Sequence, residues 1–538
     1  MSKKRMRPRR PDWLSTTVFY EIYPQSFYDT NSDGIGDIPG IIRKLDYIQS
    51  LGCNAIWVNP CFESPFKDAG YDVADYYKVA KRYGTNSDLK RLFKEAQKRR
   101  IRVCLDLVPG HTSIEHPWFK KSCKAGKNKY SNWYIWTDNV WRSITGQYRV
   151  IHGYGERDGN FITNFFWLQP ALNYGFAKPD PTKPWQLSTD HPDVKALRRE
   201  IMNIMCYWLD MGADGFRVDM ASSLVKGDNN QQATSRFWQQ VRIMFEKNYP
   251  DAVLISEWFD PEKAVRAGFH ADFAERFAYA SLFRRERVCA MHPITEGYSF
   301  FRREGKGDIA KFVNSYLKHL NKTRHKGYIS IPTGNHDLPR ISFGRTNKEI
   351  EVAFAFILTM PGVPFIYYGD EIGMKYIESL PSKEGGYDRT GARTPMQWSN
   401  GRNAGFSEAT ANKLYLPVDK SKNRPNVKKQ QNEPNSLLNK VRRLIALRKS
   451  SAALCADGEF IPLYAKPRKY PFVYMRRKGR EKFLITLNPS SNKVSANFKA
   501  PSISSPGRLQ VGTGTVLTAK DGRSKVDMAP VSYGIFRM

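Results

Sequence analysis

Along the first half of the chain, short β-rich runs alternate with stretches of helical period. Residues 18–23 form the first run. Ile41, Ile42, Leu45, Ile48 and Leu51 then mark one helical face, ended by Gly52. Residues 55–58 predict the next strand. Leu89, Leu92, Phe93 and Ala96 fall at i, i+3, i+4 and i+7, with Asn86 or Ser87 placed to cap the helix. Residues 103–108 predict a third strand. Val194, Leu197, Ile201, Ile204, Met205, Trp208 and Leu209 make a long amphipathic helix, which leads through Gly212 into a strand at 215–220. Residues 253–255, 328–331 and 363–368 are further apolar strands. Such repetition builds a parallel sheet, either doubly wound or closed. A (β/α)8 TIM barrel is preferred, because polar, chemically capable residues end so many strands, as at a barrel's C-terminal face.

The rhythm breaks between 112 and 186, a stretch rich in Trp, Tyr, Asn and Gly that reads as an irregular domain inserted after the third strand. Residues 417–435, rich in Lys, Asn, Gln and Pro, predict an exposed loop. Leu437, Leu438, Val441, Leu444 and Ile445 predict a helix, and alternating runs at 472–475 and 483–487 predict a C-terminal antiparallel β-sandwich domain. The expected organisation is a basic tail (1–11), a catalytic barrel in two parts (12–111 and 187–450) around the insert (112–186), and the β domain (451–538).

Composition narrows the class. The 538 residues are 41% hydrophobic and 13% aromatic, which excludes wholesale disorder. Lys and Arg total 85 against 52 Asp and Glu, a net charge of +33. The excess is spread along the chain, with a small cluster at Lys3, Lys4, Arg5, Arg7, Arg9 and Arg10. Such a field attracts polyanions nonspecifically. No nucleic-acid module is visible, so no specific nucleic-acid partner is expected. Seven scattered cysteines (Cys53, Cys61, Cys104, Cys123, Cys206, Cys289 and Cys455) show neither zinc spacing nor a disulfide framework, which points to a reducing compartment. With no signal-peptide pattern and no apolar run of membrane-spanning length, a cytoplasmic protein is expected.

The strand ends carry the candidate chemistry. The third ends with Asp106, then Gly110 and His111. The fourth carries Arg217 and Asp219, the fifth Glu257 and Trp258, and the seventh Asn335, His336 and Asp337. Glycoside hydrolysis needs such a set, with one carboxylate at the anomeric carbon and one carboxylic acid at the leaving oxygen. Arg217 and Asp219, two apart on a strand, point to the same side, so the guanidinium is expected to hold Asp219 anionic. Trp258 gives Glu257 an apolar setting that raises its pKa toward general-acid duty.

These segments resemble the α-amylase family, glycoside hydrolase family 13. Asp-Leu-Val-Pro-Gly-His (106–111), Gly-Phe-Arg-Val-Asp (215–219), Ser-Glu-Trp (256–258) and Gly-Asn-His-Asp (334–337) lie in the family's order. Gln-Pro-Ala-Leu-Asn-Tyr (169–174) resembles a marker of its oligo-1,6-glucosidase and α-glucosidase branch, and Gly-Ala-Arg-Thr-Pro-Met-Gln-Trp (391–398) a segment of α-glucosidases and trehalose synthases. The resemblance covers about residues 12–406 well. It implies a retaining enzyme with Asp219 as nucleophile, Glu257 as acid/base and Asp337 binding sugar hydroxyls. His111, His336 and Arg217 would hold the sugar, with Asp68 as a sugar-binding carboxylate and Tyr71 as a stacking ring. A retaining pair stands roughly 5–5.5 Å apart. The implied activity is cleavage of α-glucosidic bonds, mainly α-1,4, in maltooligosaccharides or α-glucans. Trehalose synthase-like isomerisation, glucanotransfer and, in another class, a non-catalytic sugar-binding or scaffold role are the alternatives. Asp68 hints at recognition of a chain end, with its arginine partner unassigned.

Asp29, Asn31, Asp33 and Asp37 alternate around Gly34 and Gly36, and hard oxygen ligands at odd positions with a glycine turn suit a structural Ca²⁺. The resemblance adds the Ile35 carbonyl as a ligand. An Asx-rich turn without metal is the alternative. No organic cofactor is expected. Gly110 and Ala171 stand where many family members have Asn and Asp, which argues against a second calcium between barrel and insert.

Overall fold

A computed structural model describes residues 10–142, 148–274, 279–283, 298–500, 503, 505–520 and 522–538. The basic tail from Lys3 to Arg9, and Cys289, lie outside these residues.

Eight parallel strands close the central barrel: β1 (Phe19–Ile22), β2 (Ala55–Val58), β3 (Arg102–Leu107), β4 (Gly215–Val218), β5 (Val253–Ser256), β6 (Ala271–Phe273), β7 (Tyr328–Ser330) and β8 (Phe365–Tyr367). The hydrogen-bonded order runs from β7 down to β1 and on to β8. A bridge from Pro332 to Phe365, with the Thr333 N–H on the Phe365 carbonyl at 3.0 Å, joins β7 to β8 and completes the ring. Alternation decides what each side chain does. Phe19, Trp57, Cys104, Val253, Ile255, Phe273 and Phe365 fill the interior as one apolar cluster. Their sequence neighbours Tyr20, Ile56, Val103, Phe216 and Leu254 pack outward under the helices. The three-residue β6 is too short to produce a period in the sequence and was not among the expected strands.

The helices follow the expected faces with local differences. The face of Ile41, Leu45, Ile48 and Leu51 is carried by two short helices, Ile38–Arg43 and Leu45–Leu51, and Gly52 ends the second at φ 97. Helix α1 (Asn86–Lys98) is capped by Thr85, not by Asn86 or Ser87. The Thr85 hydroxyl accepts from the Asp88 N–H while Asp88 reaches back, a capping box. Asn86 instead accepts from the Val79 N–H and donates to the Tyr77 carbonyl, which ties the helix to the preceding segment. Helix α2 (Pro192–Asp210) buries all seven of its expected apolar residues. Helices α3 (Gln232–Asn248), α4 (Pro261–Ala267), α5 (Ile309–Thr323) and α6 (Asn347–Thr359) continue the outer layer.

After β3 the chain leaves the barrel into an irregular segment with a short helix (Pro117–Ser122) and a hairpin of Val150–Ile151 with Phe161–Ile162. It docks back beside the strand ends, where the Leu172 N–H donates to the Gly110 carbonyl at 3.1 Å and His111 bridges Ala171. The stretch at 417–435 is not a bare loop. Val427–Gln431 is helical, because the buried Gln430 side chain donates to the Ile372 carbonyl at 2.8 Å and anchors it. Helix α7 (Leu437–Lys449) then leads to β9 (Glu459–Tyr464), β10 (Phe472–Lys478), β11 (Glu481–Asn488), β12 (Val494–Lys499), β13 (Arg508–Lys520) and β14 (Arg523–Arg537).

These six strands form an antiparallel sheet in which β14 pairs with β11 and β12 on one side and β13 on the other. The sheet curls over its own core of Val473, Leu484, Phe498, Val526 and Phe536, while Phe472, Tyr474 and Ile485 join the main core under the barrel helices. Arg448 and Arg476 seal that junction. Both are buried and donate only to backbone carbonyls, among them Leu358, Thr359 and Met360 at the C-terminus of α6. Among the described residues, no helix is long and apolar enough to cross a membrane, and the six described cysteines are free thiols.

Candidate active site

At the C-terminal rim of the barrel the alternation that fills its interior continues, but with polar residues. Glu21 of β1, Trp57 of β2, Asp106 of β3 and Arg217 of β4 point inward, and Asp219, Glu257 and His336 follow just beyond β4, β5 and β7. The ladder sets their height: the Asp219 N–H donates to the Leu107 carbonyl at 2.8 Å and the Glu257 N–H to the Val218 carbonyl at 2.9 Å.

Arg217 is the hub. It is 2% exposed and touches three carboxylates: Nη1 lies 3.0 Å from Asp106 and 3.0 Å from Asp219, and Nη2 lies 3.1 Å from Glu257. One cation cannot neutralise three anions. Burial, reinforced by the charge of Glu257, therefore holds the Asp219 pKa well above the ordinary carboxylate range despite Arg217. Arg217 does pull it down, as the sequence led one to expect, but burial and the charge of Glu257 outweigh the shared guanidinium. Asp106 is pushed up to about 6 by burial, with Arg217 opposing. The apolar setting expected for Glu257 is also corrected. The Trp258 indole points away to Gln231, at 3.1 Å, and Glu257 is held instead by Arg217 and by the Met220 N–H at 2.8 Å.

Asp337 belongs to a second group. Arg389 Nη1 is 2.8 Å and Arg393 Nη2 3.0 Å from its Oδ1. Burial disfavours the carboxylate, but His336 and these arginines outweigh it and keep its pKa far below the usual range. Because burial drives His336 itself down to about 3, the arginines carry that effect. Arg389 also lies 3.6 Å from Asp68, whose Oδ2 accepts from Gln169 Nε2 at 2.7 Å. Burial pushes Asp68 up to about 7, with Arg389 the chief opposing charge.

Tyr71 stacks on His336 with ring centroids 5.2 Å apart, and its hydroxyl lies 2.9 Å from Asp106 and 2.8 Å from His336 Nε2. His336 Nδ1 is 2.9 Å from Glu21. The two ring nitrogens of His111 are both engaged by protein, Nε2 with the Tyr71 carbonyl at 3.1 Å and Nδ1 with Asn164 at 3.1 Å. The fold thus brings together all eight expected catalytic and sugar-binding residues.

Sequence reasoning missed Glu21, Trp57, Arg389 and Arg393. A lone carboxylate in the apolar run 18–23 was a usable signal for Glu21. Arg393 lies within the quoted segment 391–398, and Arg389 just before it.

Between barrel and insert, the Lys226 ammonium lies 3.1 Å from Asn164 Oδ1 and 2.9 Å from the Ser223 carbonyl. A Cβ on Gly110 would meet Asn164 at 2.7 Å, so the missing side chain at 110 makes room for this amide and its lysine.

The chain matches the family described as alpha amylase, catalytic domain, over residues 21–457. It belongs to the α-amylase family. It is 33% identical to the trehalose synthase/amylase TreS of Mycolicibacterium smegmatis over 85% of this chain and 79% of that protein. It is 32% identical to the oligo-1,6-glucosidase of Parageobacillus thermoglucosidasius over 88% of this chain and 90% of that one. Among solved structures, an isomaltulose synthase variant from Erwinia rhapontici, in complex with its natural substrate sucrose, superposes with a TM-score of 0.79 at 26% identity, over 98% of this chain and 99% of that one. Family membership makes the chain an enzyme of the glycosidase and transglycosylase group with a carbohydrate substrate.

The loop after β1 is outside this cluster. Asp29 accepts from the N–H groups of Asn31, Ser32 and Gly34 and from the Ser407 hydroxyl, and Asp33 accepts from the Ile35 N–H at 2.8 Å. Asp37 caps the next helix through the Gly40 N–H. These are nested Asx turns. Among the described residues, no three His, Cys, Asp or Glu side chains converge as on a metal. The donor set is nonetheless all hard oxygen, and Asn31 and Asp33 are exposed.

Proposed function

We propose that the protein cleaves α-glucosidic bonds, mainly α-1,4, at the non-reducing ends of maltooligosaccharides by a retaining route. The observation that carries this is the single Arg217 guanidinium joining Asp106, Asp219 and Glu257 at the ends of three successive strands. Asp219 attacks the anomeric carbon while Glu257 protonates the departing oxygen. Glu257 then takes a proton from water, which opens the glucosyl ester. Both carboxyls lie against the same guanidinium, Asp219 3.0 Å from Nη1 and Glu257 3.1 Å from Nη2. That supports the short retaining arrangement, since inverting pairs stand roughly 6.5–9.5 Å apart. Asp337, held ionised by Arg389 and Arg393, accepts sugar hydroxyls, and Tyr71 packs on the ring. Asp68, Gln169 and Arg389 close the far wall, which favours a chain end over a chain interior.

A second reading is isomerisation or glucosyl transfer on the same glucosyl-enzyme. Phe165, Phe166 and Tyr387 pack together beside Gln169, with Phe166 and Tyr387 centroids 5.8 Å apart, and Trp167 next to them is 54% exposed. An aromatic rim beside the pocket retains a departing sugar better than it admits water.

Ca²⁺ would be held by Asp29, Asn31, Asp33, Asp37 and the Ile35 carbonyl, and would supply only structural cross-linking of that loop. Incubation with maltose, maltotriose, isomaltose, sucrose, trehalose and starch tests both readings. Glucose released first as the α anomer supports the hydrolase, trehalose from maltose the isomerase. First-formed β anomer excludes retention.

A further inference from the structure

We propose that Asp272 is a positioning residue for Glu257, fixing the turn from which that side chain projects. The proposal rests on the acid/base role given to Glu257 above. Asp272 sits on β6 opposite Ser256 of β5. Its neighbours Ala271 and Phe273 fill the barrel, so Asp272 faces outward, beneath the segment that leaves β5, and it is fully buried.

One oxygen, Oδ1, accepts from the Ser256 hydroxyl at 2.7 Å, the Trp258 N–H at 3.0 Å and the Phe259 N–H at 3.4 Å. Residue 257 is therefore gripped on both sides by a side chain from the neighbouring strand. The other oxygen, Oδ2, is buried with no hydrogen-bond partner among the described residues. Burial pushes this carboxyl up to about 7, with hydroxyl and backbone donors opposing. A buried carboxyl satisfied on only one oxygen is a costly way to fill space, so its position calls for a local explanation.

The turn supplies one. Phe259 has φ 61, a left-handed conformation that a residue bearing a side chain adopts only when its surroundings hold it there. The bonds from Trp258 and Phe259 to Asp272 hold it. From the opposite side, the Met220 N–H and Arg217 grip the Glu257 carboxyl itself, at 2.8 and 3.1 Å, and Met220 is also left-handed, at φ 41. The aim of the acid is thus set by two clamps, one on its carboxyl from β4 and one on its backbone from β6. Releasing the backbone clamp lets the carboxyl drift from the departing oxygen, and a misplacement of about 1 Å costs on the order of 10²-fold in rate.

The test separates help for the acid from general structural support. Maltose has a sugar leaving group that needs a proton from Glu257, whereas fluoride leaves α-glucosyl fluoride without one. In Asp272→Ala, kcat/KM for maltose is expected to fall about 100-fold, within the roughly 10²–10⁴-fold worth of general acid catalysis, while kcat/KM for α-glucosyl fluoride stays within about 3-fold. Asp272→Asn keeps the accepting oxygen and restores maltose turnover to within about 3-fold of the parent. Should Asp272→Ala not fold, Asp272→Glu, which moves the carboxyl by one methylene, is expected to give the same selective loss. Equal losses on both substrates, or undiminished maltose turnover, overturn the proposal. A parent enzyme inactive on both substrates would instead overturn the reading of Glu257 on which it rests.

Discussion

Arg389→Met tests whether the pocket is closed by the pair that sequence reasoning did not supply. Arg389 is 5% exposed, lies 2.8 Å from Asp337 and stands 3.6 Å from Asp68. The substitution keeps most of the volume and removes the charge. Asp337 retains Arg393 at 3.0 Å, so one charge-assisted bond is lost rather than the whole group. Such a bond contributes about 1.5–3 kcal/mol, which corresponds to about a 10- to 150-fold fall in kcat/KM for maltose.

The pH profile is affected as well. Burial already places Asp68 at about 7, with Arg389 the chief charge opposing the rise. Without Arg389 its titration moves further up, so a larger fraction is protonated at neutral pH. A sugar-accepting carboxylate works only above its pKa, and the acid limb of kcat/KM should therefore shift to higher pH. The assay is glucose release from maltose and from a long maltooligosaccharide across the neutral range, with a thermal melt as control for folding. Opening the far wall should penalise maltose more than the long chain. An unchanged pH profile, with both substrates affected alike, would refute the assignment of Arg389 and Asp68 as the wall that recognises a chain end.

Three further outcomes are expected. Asp219→Asn should lose turnover on the order of 10⁴-fold, the scale on which an essential catalytic side chain is felt, while sugar binding by calorimetry persists; retained turnover would remove Asp219 as nucleophile. Chelation should lower the melting temperature by a few degrees through the loop of Asp29 to Asp37, since a ligand at about 100 times its Kd stabilises by about 2.7 kcal/mol; an unchanged melt with no calcium by elemental analysis would remove the metal. Binding to inorganic polyphosphate should weaken steeply with salt and depend on Lys120, Lys121, Lys127 and Lys129, four exposed lysines on the short helix of the insert and the turn after it; salt-insensitive binding would exclude an electrostatic origin.

The barrel was legible because its signals are long or repeated. Seven residues of α2 keep one face over nineteen positions, and packing alone explains their burial. The features that escaped are those set by contacts distant in sequence. Strand β6 has three residues and is defined by Ser256 and Ser330 on either side. Thr85 beat Asn86 as a cap because Asn86 was claimed by Tyr77 and Val79. At the site, residue types and strand-end positions pointed to residues that the fold brings together, but their ionisation did not follow. Arg217 two residues before Asp219 looked like a private partner, and only the fold shows it divided among Asp106, Asp219 and Glu257. Asp68 and Arg389 are too far apart in the chain for any spacing rule to pair them.

The charge of the molecule and the charge of the site have opposite signs, and this bears on what the pocket accepts. The chain carries +33. Within the pocket, however, the five carboxyls of Asp68, Asp106, Asp219, Glu257 and Asp337 share, among the described residues, the three guanidiniums of Arg217, Arg389 and Arg393. The surface field is screened over about 8 Å at physiological salt, whereas buried groups a few ångströms apart feel one another with little screening. An anionic polymer drawn to the lysines of the insert therefore meets repulsion at the pocket. A neutral sugar does not, and the positive charge that develops at its anomeric carbon is stabilised there. The surplus of carboxylates has a second consequence. It adds to burial in holding the Asp219 pKa above the ordinary carboxylate range. Neutralising the basic surface should therefore leave sugar turnover unaffected.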